Sequence, residues 1–488
     1  MPSKARRTCM DKDDLIWEKL DERVDGWLKI AQTSDVYRSV AQFIIKYRPG
    51  KAVEMHRAFK GGYNVVYRLE YEDGTSAIMR IPIKDVVPAP FHDEKVRYEV
   101  AVMRYVGEHT AIPVPRVYHY GTAADNPLGL GPFIIMDYIE HYETLSGVLR
   151  DPDRPVEKRP ILNPNIDENR LAFLYEQVAN VLLQLDALRF PRIGSLVEDA
   201  ETGKIEVKGR PLLANMIDLA IHTDMPPEGI LPPADTTYAD SNSWFAALAD
   251  MHMAQLVFQH RDAVEDADDA RDKYVARQLF RRVATQGHYS PDNKTSADST
   301  RRAISLYSED LRPANILLDR EDRIVGVIDW EFAYAAPLSF SSAPPWWLLM
   351  EDPESWSPGG VEGWQQMYGP RLDTFLAAME RVESRRSVPP EAALSTRMRN
   401  SWNSKMWMRN YASRRSWAFD FLWWKHLDEG FFGPNKDQDH KARLAELPSG
   451  QRQIMEELVQ QKLKEEEDKD ITVWSSDDTV SYFQKYLL

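Results

Sequence analysis

The sequence predicts an α+β protein of two lobes, a small antiparallel-sheet N-lobe followed by a large, mostly helical C-lobe. Three observations predict this. Residues 53–59, 65–71 and 76–83 are short β-rich runs separated by Gly61-Gly62 and Asp73-Gly74, the texture of a three-strand meander. Beyond Glu140 the apolar residues fall at helical spacing, most clearly Leu171, Leu174, Val178, Leu182 and Leu185. Strand character returns clearly only at residues 316–328.

In chain order, Leu15, Trp17, Leu20, Val24, Leu28 and Ile30 mark one or two leading helices, which end before Pro49-Gly50. After the meander, residues 93–107 return to helical spacing, with Val96, Val100, Met103 and Val106 on one side and the basic residues elsewhere. Two extended runs follow, at 116–120 and 133–139, and the lobes are expected to meet near residues 139–145. The expected divisions are a helical extension over 1–49, an N-lobe over 50–139 and a C-lobe over 140–488. The C-lobe carries an insert at 226–242 rich in Pro, Asp and Thr, an acidic run at 262–272 expected on a solvated helix face or helix start, and a charged segment at 462–470.

With 488 residues, 43% hydrophobic and 28% charged, the chain has the profile of a globular enzyme rather than a hormone, coiled coil or disordered tail. A net charge of −15 disfavours broad binding to nucleic acid or anionic membrane. Cys9 is the only cysteine, so no intramolecular disulfide forms and a reducing compartment, by default the cytoplasm, is expected. Residues 1–14 lack the apolar stretch of a signal peptide, and no window approaches the ~18 apolar residues of a spanning helix. No HExxH, paired-cysteine or GxSxG pattern occurs, which disfavours a zinc site or a serine hydrolase.

The informative stretch is residues 307–337, YSEDLRPANILLDREDRIVGVIDWEFAYAAP. Asp310 is followed five residues later by Asn315, then by an apolar hairpin that ends at Asp329. The second strand of a hairpin runs back along the first, so Asp329 returns toward the loop of Asp310 and Asn315. Phosphoryl transfer needs such a set: one carboxylate to take the proton of the attacking hydroxyl, and oxygen ligands for the magnesium that bridges the phosphates. The bland alternative is a capped turn with ordinary surface acids. Trp346 and Trp347, just beyond, either stack on a substrate ring or belong to the core.

LRPANIL and VIDWEFA resemble the aminoglycoside phosphotransferase and choline kinase-like group of the protein-kinase-like fold. GGYNVVY, AIMRIPI, EVAVMRYV, IPVPRVYHYG and FIIMDYI stand in that group's order, and the texture is similar to its large fungal branch. The resemblance implies ATP and Mg2+ as cofactors and a small-molecule hydroxyl as acceptor, a cationic amine or aminoglycoside-like compound being within its range. It implies Asp310 as catalytic base, Asn315 and Asp329 as magnesium ligands, and Arg80 as the strand-borne cation facing the phosphates, paired with Glu99. Gly61, Gly62, Tyr63 and Asn64 would cradle phosphate through backbone amides, and Met136, Tyr138 and their neighbours up to Ile139 would hold adenine.

The chain departs from the group's pattern at three points. Ser308-Glu309-Asp310 replaces His-Gly-Asp, so bracing of the loop falls to Ser308 or elsewhere. Arg80 replaces a lysine, and only two glycines form the phosphate loop. The first two departures motivate a second reading, a pseudokinase that is a nucleotide-binding or bare scaffold whose helical C-terminal part, including the tail from Gln451 to Leu488, recruits a protein partner. A protein-Ser/Thr kinase is disfavoured because WEFAYAAP opens no activation loop ending in Ala-Pro-Glu. Asp218, Asp224, Glu331 and Glu351 are the acids expected near the cleft, where they would attract a cationic acceptor.

Overall fold

β-Branched and aromatic residues dominate the N-terminal runs, and they pair into a single antiparallel sheet. The computed structural model describes residues 11–223, 225–289, 303–356, 359–467 and 476–487; Cys9 and Asp224 lie outside them. The sheet comprises β1 (Ala52–Met55), β2 (Phe59–Lys60), β3 (Asn64–Tyr71), β4 (Ser76–Pro82), β5 (Val117–Gly121) and β6 (Phe133–Tyr138). Its order is β1-β3-β4-β6-β5, with β2 also on β3. The expected first strand is split in two: the chain leaves the sheet near Ala58, whose N–H donates to the Tyr37 hydroxyl at 2.9 Å.

Two leading helices, α1 (Asp14–Ala31) and α2 (Ser34–Tyr47), are present. Asp13 caps α1, its Oδ1 accepting from Leu15 and Ile16 N–H at 3.1 Å. The buried stripe of α1 is Ile16, Leu20, Val24, Trp27 and Ala31, whereas Trp17 and Ile30 are exposed. The sequence stripe therefore mixed two faces, and the true one follows steps of three and four residues. Helix α2 lies against β3 and β4, while α1 reaches across to α6 (Ala214–Thr223) of the helical lobe.

Helix α3 (Ala89–His109) buries Val96, Val100, Met103 and Val106 as expected. One basic residue departs from the expected solvent side, because Lys95 is buried on this helix together with Glu99.

The C-lobe begins with β7 (Glu143–Thr144), α4 (Leu145–Leu149) and α5 (Glu168–Ala187); α7 (Ser241–Phe258), α8 (Ala267–Thr285) and α9 (Gly360–Arg385) form much of its body. The acidic run opens α8, where Asp266 Oδ1 accepts from the N–H groups of Asp268 and Asp269. Strands are more widespread than the sequence suggested. Besides β11 (Ile316–Leu318) and β12 (Ile324–Val327), there is a hairpin of β8 (Ser195–Glu198) and β9 (Ile205–Gly209), and β10 (Ile304–Ser308) pairs with β13 (Ala333–Pro337). Every residue of β13 is buried, so its Ala-rich AYAAP shows no alternation to read. The tail helix α10 (Ser449–Glu467) packs against α8 and buries Met455, Leu458 and Val459. Buried apolar contacts are continuous from the sheet to these last helices.

Candidate active site

The site is assembled by two nested pairs of strands. β10 and β13 run antiparallel from Ile304↔Pro337 to Ser308↔Ala333, which fixes both ends of the intervening loop. Inside it β11 pairs with β12 and, on its other side, with β7. Ile328 N–H donates to Asn315 O at 2.9 Å, so the chain entering the hairpin lies beside the chain leaving it. Asn315 Nδ2 donates to Asp310 O at 2.8 Å and to Asp310 Oδ2 at 3.1 Å. Asp329 follows β12 in the left-handed region, at φ 61°, a conformation that costs a non-glycine residue about 1–3 kcal/mol. Its carboxylate reaches the N-lobe, with Oδ1 2.8 Å from Arg80 Nη1.

Asp310, Asn315 and Asp329 line a cleft of about 980 Å3 together with Gly61, Gly62, Tyr63, Asn64, Arg80, Met136 and Tyr138. Glu99 stands behind this surface, buried, and pairs with Arg80. Arg80 and Glu99 therefore form a buried ion pair rather than a surface one. Backbone groups near the expected adenine contact are partly engaged: Asp137 N–H donates to Arg116 O at 3.0 Å, and Ile139 O lies 2.8 Å from His141 Nδ1.

Lys95 is a member of this charge cluster that the sequence pattern does not single out. Lys95 pairs with Glu331, and both hold the Asn64 amide, Lys95 donating to Oδ1 at 3.2 Å and Nδ2 donating to Glu331 at 3.0 Å. Glu331, expected as an acid near the cleft, does line it and also neutralises Lys95. The available signal was the i,i+4 spacing of Lys95 and Glu99, which puts both charges on one side of α3 beside apolar residues. Arg80 therefore lies among Glu99, Asp329 and, at 4.0 Å, Glu331.

The carboxyl groups respond differently to this setting. Burial, reinforced by the neighbouring Glu331 and Asp310 charges, pushes Asp329 up to about 6 although Arg80 pulls the other way. Burial also raises Asp310, against the pull of Arg312 at 3.0 Å. For Glu331 burial acts upward as well, but Lys95 and Arg80 outweigh it and hold the group low.

The loop's bracing comes from several sources. Ser308 is held in the β10–β13 ladder, the buried Glu309 carboxylate faces Arg414 at 3.7 Å, and Trp347 Nε1 donates to Leu311 O at 2.9 Å. Trp347 is thus a core residue, whereas the half-buried Trp346 lines the cleft, as does Trp417. Among the expected acids, Asp218 and Glu331 line the cleft and Glu351 does not; Asp352 and Glu354 stand there instead.

The donor set fits a hard divalent cation. With its NH2 turned to Asp310, the Asn315 amide has its oxygen left as ligand atom, and Asp329 supplies carboxylate oxygen. Magnesium commonly takes only one or two protein ligands, with water and phosphate oxygens completing its shell.

A family model described as "Phosphotransferase enzyme family" matches residues 56–383. "Altered inheritance of mitochondria protein 9, mitochondrial" of Zygosaccharomyces rouxii is 23% identical over 323 residues, 60% of this chain and 50% of that protein. "Clavilactone A biosynthesis cluster protein Y" of Ampulloclitocybe clavipes is 23% identical over 331 residues, 67% of this chain and 72% of that protein. The chain thus spans half the length of the first of these relatives. Among solved structures, macrolide 2'-phosphotransferase MphH from Brachybacterium faecium matches with a TM-score of 0.37 at 12% identity, covering 78% of this chain and 98% of its own. The expected cytoplasmic location is overturned by the mitochondrial names carried by relatives from four yeasts. A single cysteine argues only against a disulfide-dependent fold and selects no particular reducing compartment.

Proposed function

Because the chain belongs to the phosphotransferase enzyme family, we propose that it transfers the γ-phosphoryl group of ATP, with magnesium, to a hydroxyl of a small molecule. The observation that carries this reading is the meeting of Asp310, Asn315 and Asp329 with Arg80 in one cleft. Asp310 orients the acceptor hydroxyl and takes its proton, a role helped by its raised proton affinity. Asn315 and Asp329 are the residues that would hold magnesium, which when bound neutralises charge on the phosphates. Arg80, fixed by Glu99, presents a guanidinium to phosphate oxygens, and the turn at Gly61-Gly62 offers backbone N–H groups to them. Most of the rate enhancement then comes from positioning and charge neutralisation.

Replacing Asp310 by Asn tests the assignment. Transfer, or the ATP hydrolysis that stands in for it, should fall by about 10²–10⁴-fold, while binding of the non-hydrolysable analogue AMP-PNP persists. Undiminished turnover in D310N would remove Asp310 as the base.

A second reading, a nucleotide-binding scaffold without turnover, is favoured by one observation: Arg80 and Arg312 ion-pair with Asp329 and Asp310. It predicts AMP-PNP binding with no hydrolysis in the wild-type protein. The mitochondrial names of the relatives support a mitochondrial setting for either reading.

A further inference from the structure

Away from Arg80 and the glycine turn, the cleft wall includes cationic and aromatic residues from four separate parts of the chain. Lys12 comes from the leading segment, Arg159 from the segment before α5, Arg312 from the loop that carries Asp310, and Arg415, Trp417 and Ala418 from the turn between the helices Met406–Ser413 and Phe419–Leu422. Each of these four cations has an acidic partner. Lys12 lies 3.3 Å from Asp218, Arg159 2.7 Å from Asp352, Arg312 3.0 Å from Asp310 and Arg415 3.9 Å from Glu354.

The pairs are not symmetric toward solvent. The cations leave 34% to 52% of their side-chain surface exposed, whereas the acids leave 7% to 29%. In every pair the positive partner is the more accessible one. The acids are also engaged by neutral donors: Asp352 accepts from Ser355 N–H at 3.1 Å, Glu354 from the Tyr411 hydroxyl at 2.5 Å and Asp218 from the Tyr63 hydroxyl at 3.4 Å.

Lys12 shows the device most fully. Its ammonium lies 5.7 Å from the Trp17 ring centre and 5.4 Å from that of Trp417, beside Asp218. A cationic amine entering here would meet aromatic faces and a carboxylate that the chain's own lysine already serves. The leading segment is held firmly in place: Asp13 Oδ2 accepts from Arg261 N–H at 2.9 Å, and Gln259 Nε2 donates to Asp11 O at 2.6 Å.

We infer that the acceptor carries an anionic group, a carboxylate or a phosphate ester, which Lys12 and Arg415 recognise; the inference rests on the phosphotransferase reading and narrows its substrate class. Acids outnumber cations in the cleft lining, but in these four pairs the guanidinium or ammonium group is the more accessible partner and so the one an incoming group meets, and each is pre-positioned by a less exposed acid. Arg415 has the longest of the four ion pairs, so it exchanges the weakest existing partner for an incoming oxyanion. An anionic acceptor differs from the cationic or aminoglycoside-like compound that the family resemblance brings within range.

The test uses the full chain and simple ions at constant ionic strength, with thermal stability as readout. Acetate, inorganic phosphate and tetramethylammonium are titrated against wild type, Lys12→Met, Arg415→Met and Arg415→Lys, each with and without saturating AMP-PNP and magnesium. Saturable stabilisation by acetate or phosphate, weakened at least fivefold in Lys12→Met and Arg415→Met and partly recovered in Arg415→Lys, is the expected result. Acetate acting alone identifies a carboxylate-bearing acceptor, and phosphate acting with AMP-PNP already bound identifies a phosphate ester. Saturable stabilisation by tetramethylammonium alone, or anion effects equal in wild type and variants, overturns the inference. Failure of AMP-PNP to bind removes the phosphotransferase reading instead, and the variant comparison still decides the anion site because Lys12 and Arg415 are not among the proposed nucleotide-binding residues.

Discussion

Asp329 is the residue on which the proposed chemistry and the electrostatics of the fold bear most directly. It adopts a left-handed backbone, lies 2.8 Å from Arg80 and has its proton affinity raised to about 6 by burial and by two neighbouring carboxylates. A protonated carboxyl is a poor cation ligand, so magnesium-dependent nucleotide binding must release that proton below about pH 6. The affinity for AMP-PNP with magnesium should therefore weaken by up to about tenfold per pH unit as the pH falls below that value, and level off above it. Calorimetric titrations between pH 5 and 8 check this, and an affinity that is flat or strengthens toward pH 5 would contradict it. The pairing of Arg80 with Glu99 matters in the same way, because Glu99 is buried: removing Arg80 leaves that carboxylate uncompensated at a cost of about 3–5 kcal/mol, whereas removing Glu99 leaves Arg80 still paired with Asp329.

At the scale of elements, the β8–β9 hairpin shows what supports the loop from behind. Gly194, just before β8, exchanges backbone hydrogen bonds with Ala335 of β13, at 3.0 and 2.9 Å. A Cβ at Gly194 would stand 2.6 Å from the carbonyl oxygen of Gly209, which as backbone has little freedom to move. Gly194→Ala should therefore destabilise the protein by about 1–3 kcal/mol, read as a lower urea midpoint with an unchanged slope. A midpoint equal to wild type would show that the hairpin yields easily. None of this support was legible in the sequence. Residues 195–209 are short, half-exposed strands around a turn, and β13 is a run of buried small residues without period. By contrast the sheet was legible because alternating β-branched residues and the Asp73-Gly74 turn state it locally, and Asp310, Asn315 and Asp329 were legible because a single hairpin brings them together. Lys95 and the wall of Lys12, Arg159 and Arg415 were not, because they converge from segments hundreds of residues apart and only tertiary packing joins them.

At the scale of the whole molecule, the cleft lies where both lobes contribute side chains, and the leading helices tie those lobes together through α2 on the sheet and α1 on α6. No described helix is long and apolar enough to cross a membrane. The tail helix α10 spends its apolar face on α8, which leaves that face unavailable to the protein partner envisaged in the scaffold reading. A ligand that bridges the lobes should stabilise the entire fold, since binding to the native state alone raises its melting temperature. The most direct measurement is thus a thermal-shift titration of the purified protein with AMP-PNP, with and without magnesium, beside Asp329→Ala. The account predicts a rise of about 3 °C at a hundredfold excess over Kd, present with magnesium and lost in the variant. No rise at millimolar nucleotide, or a rise indifferent to both magnesium and Asp329, would contradict it.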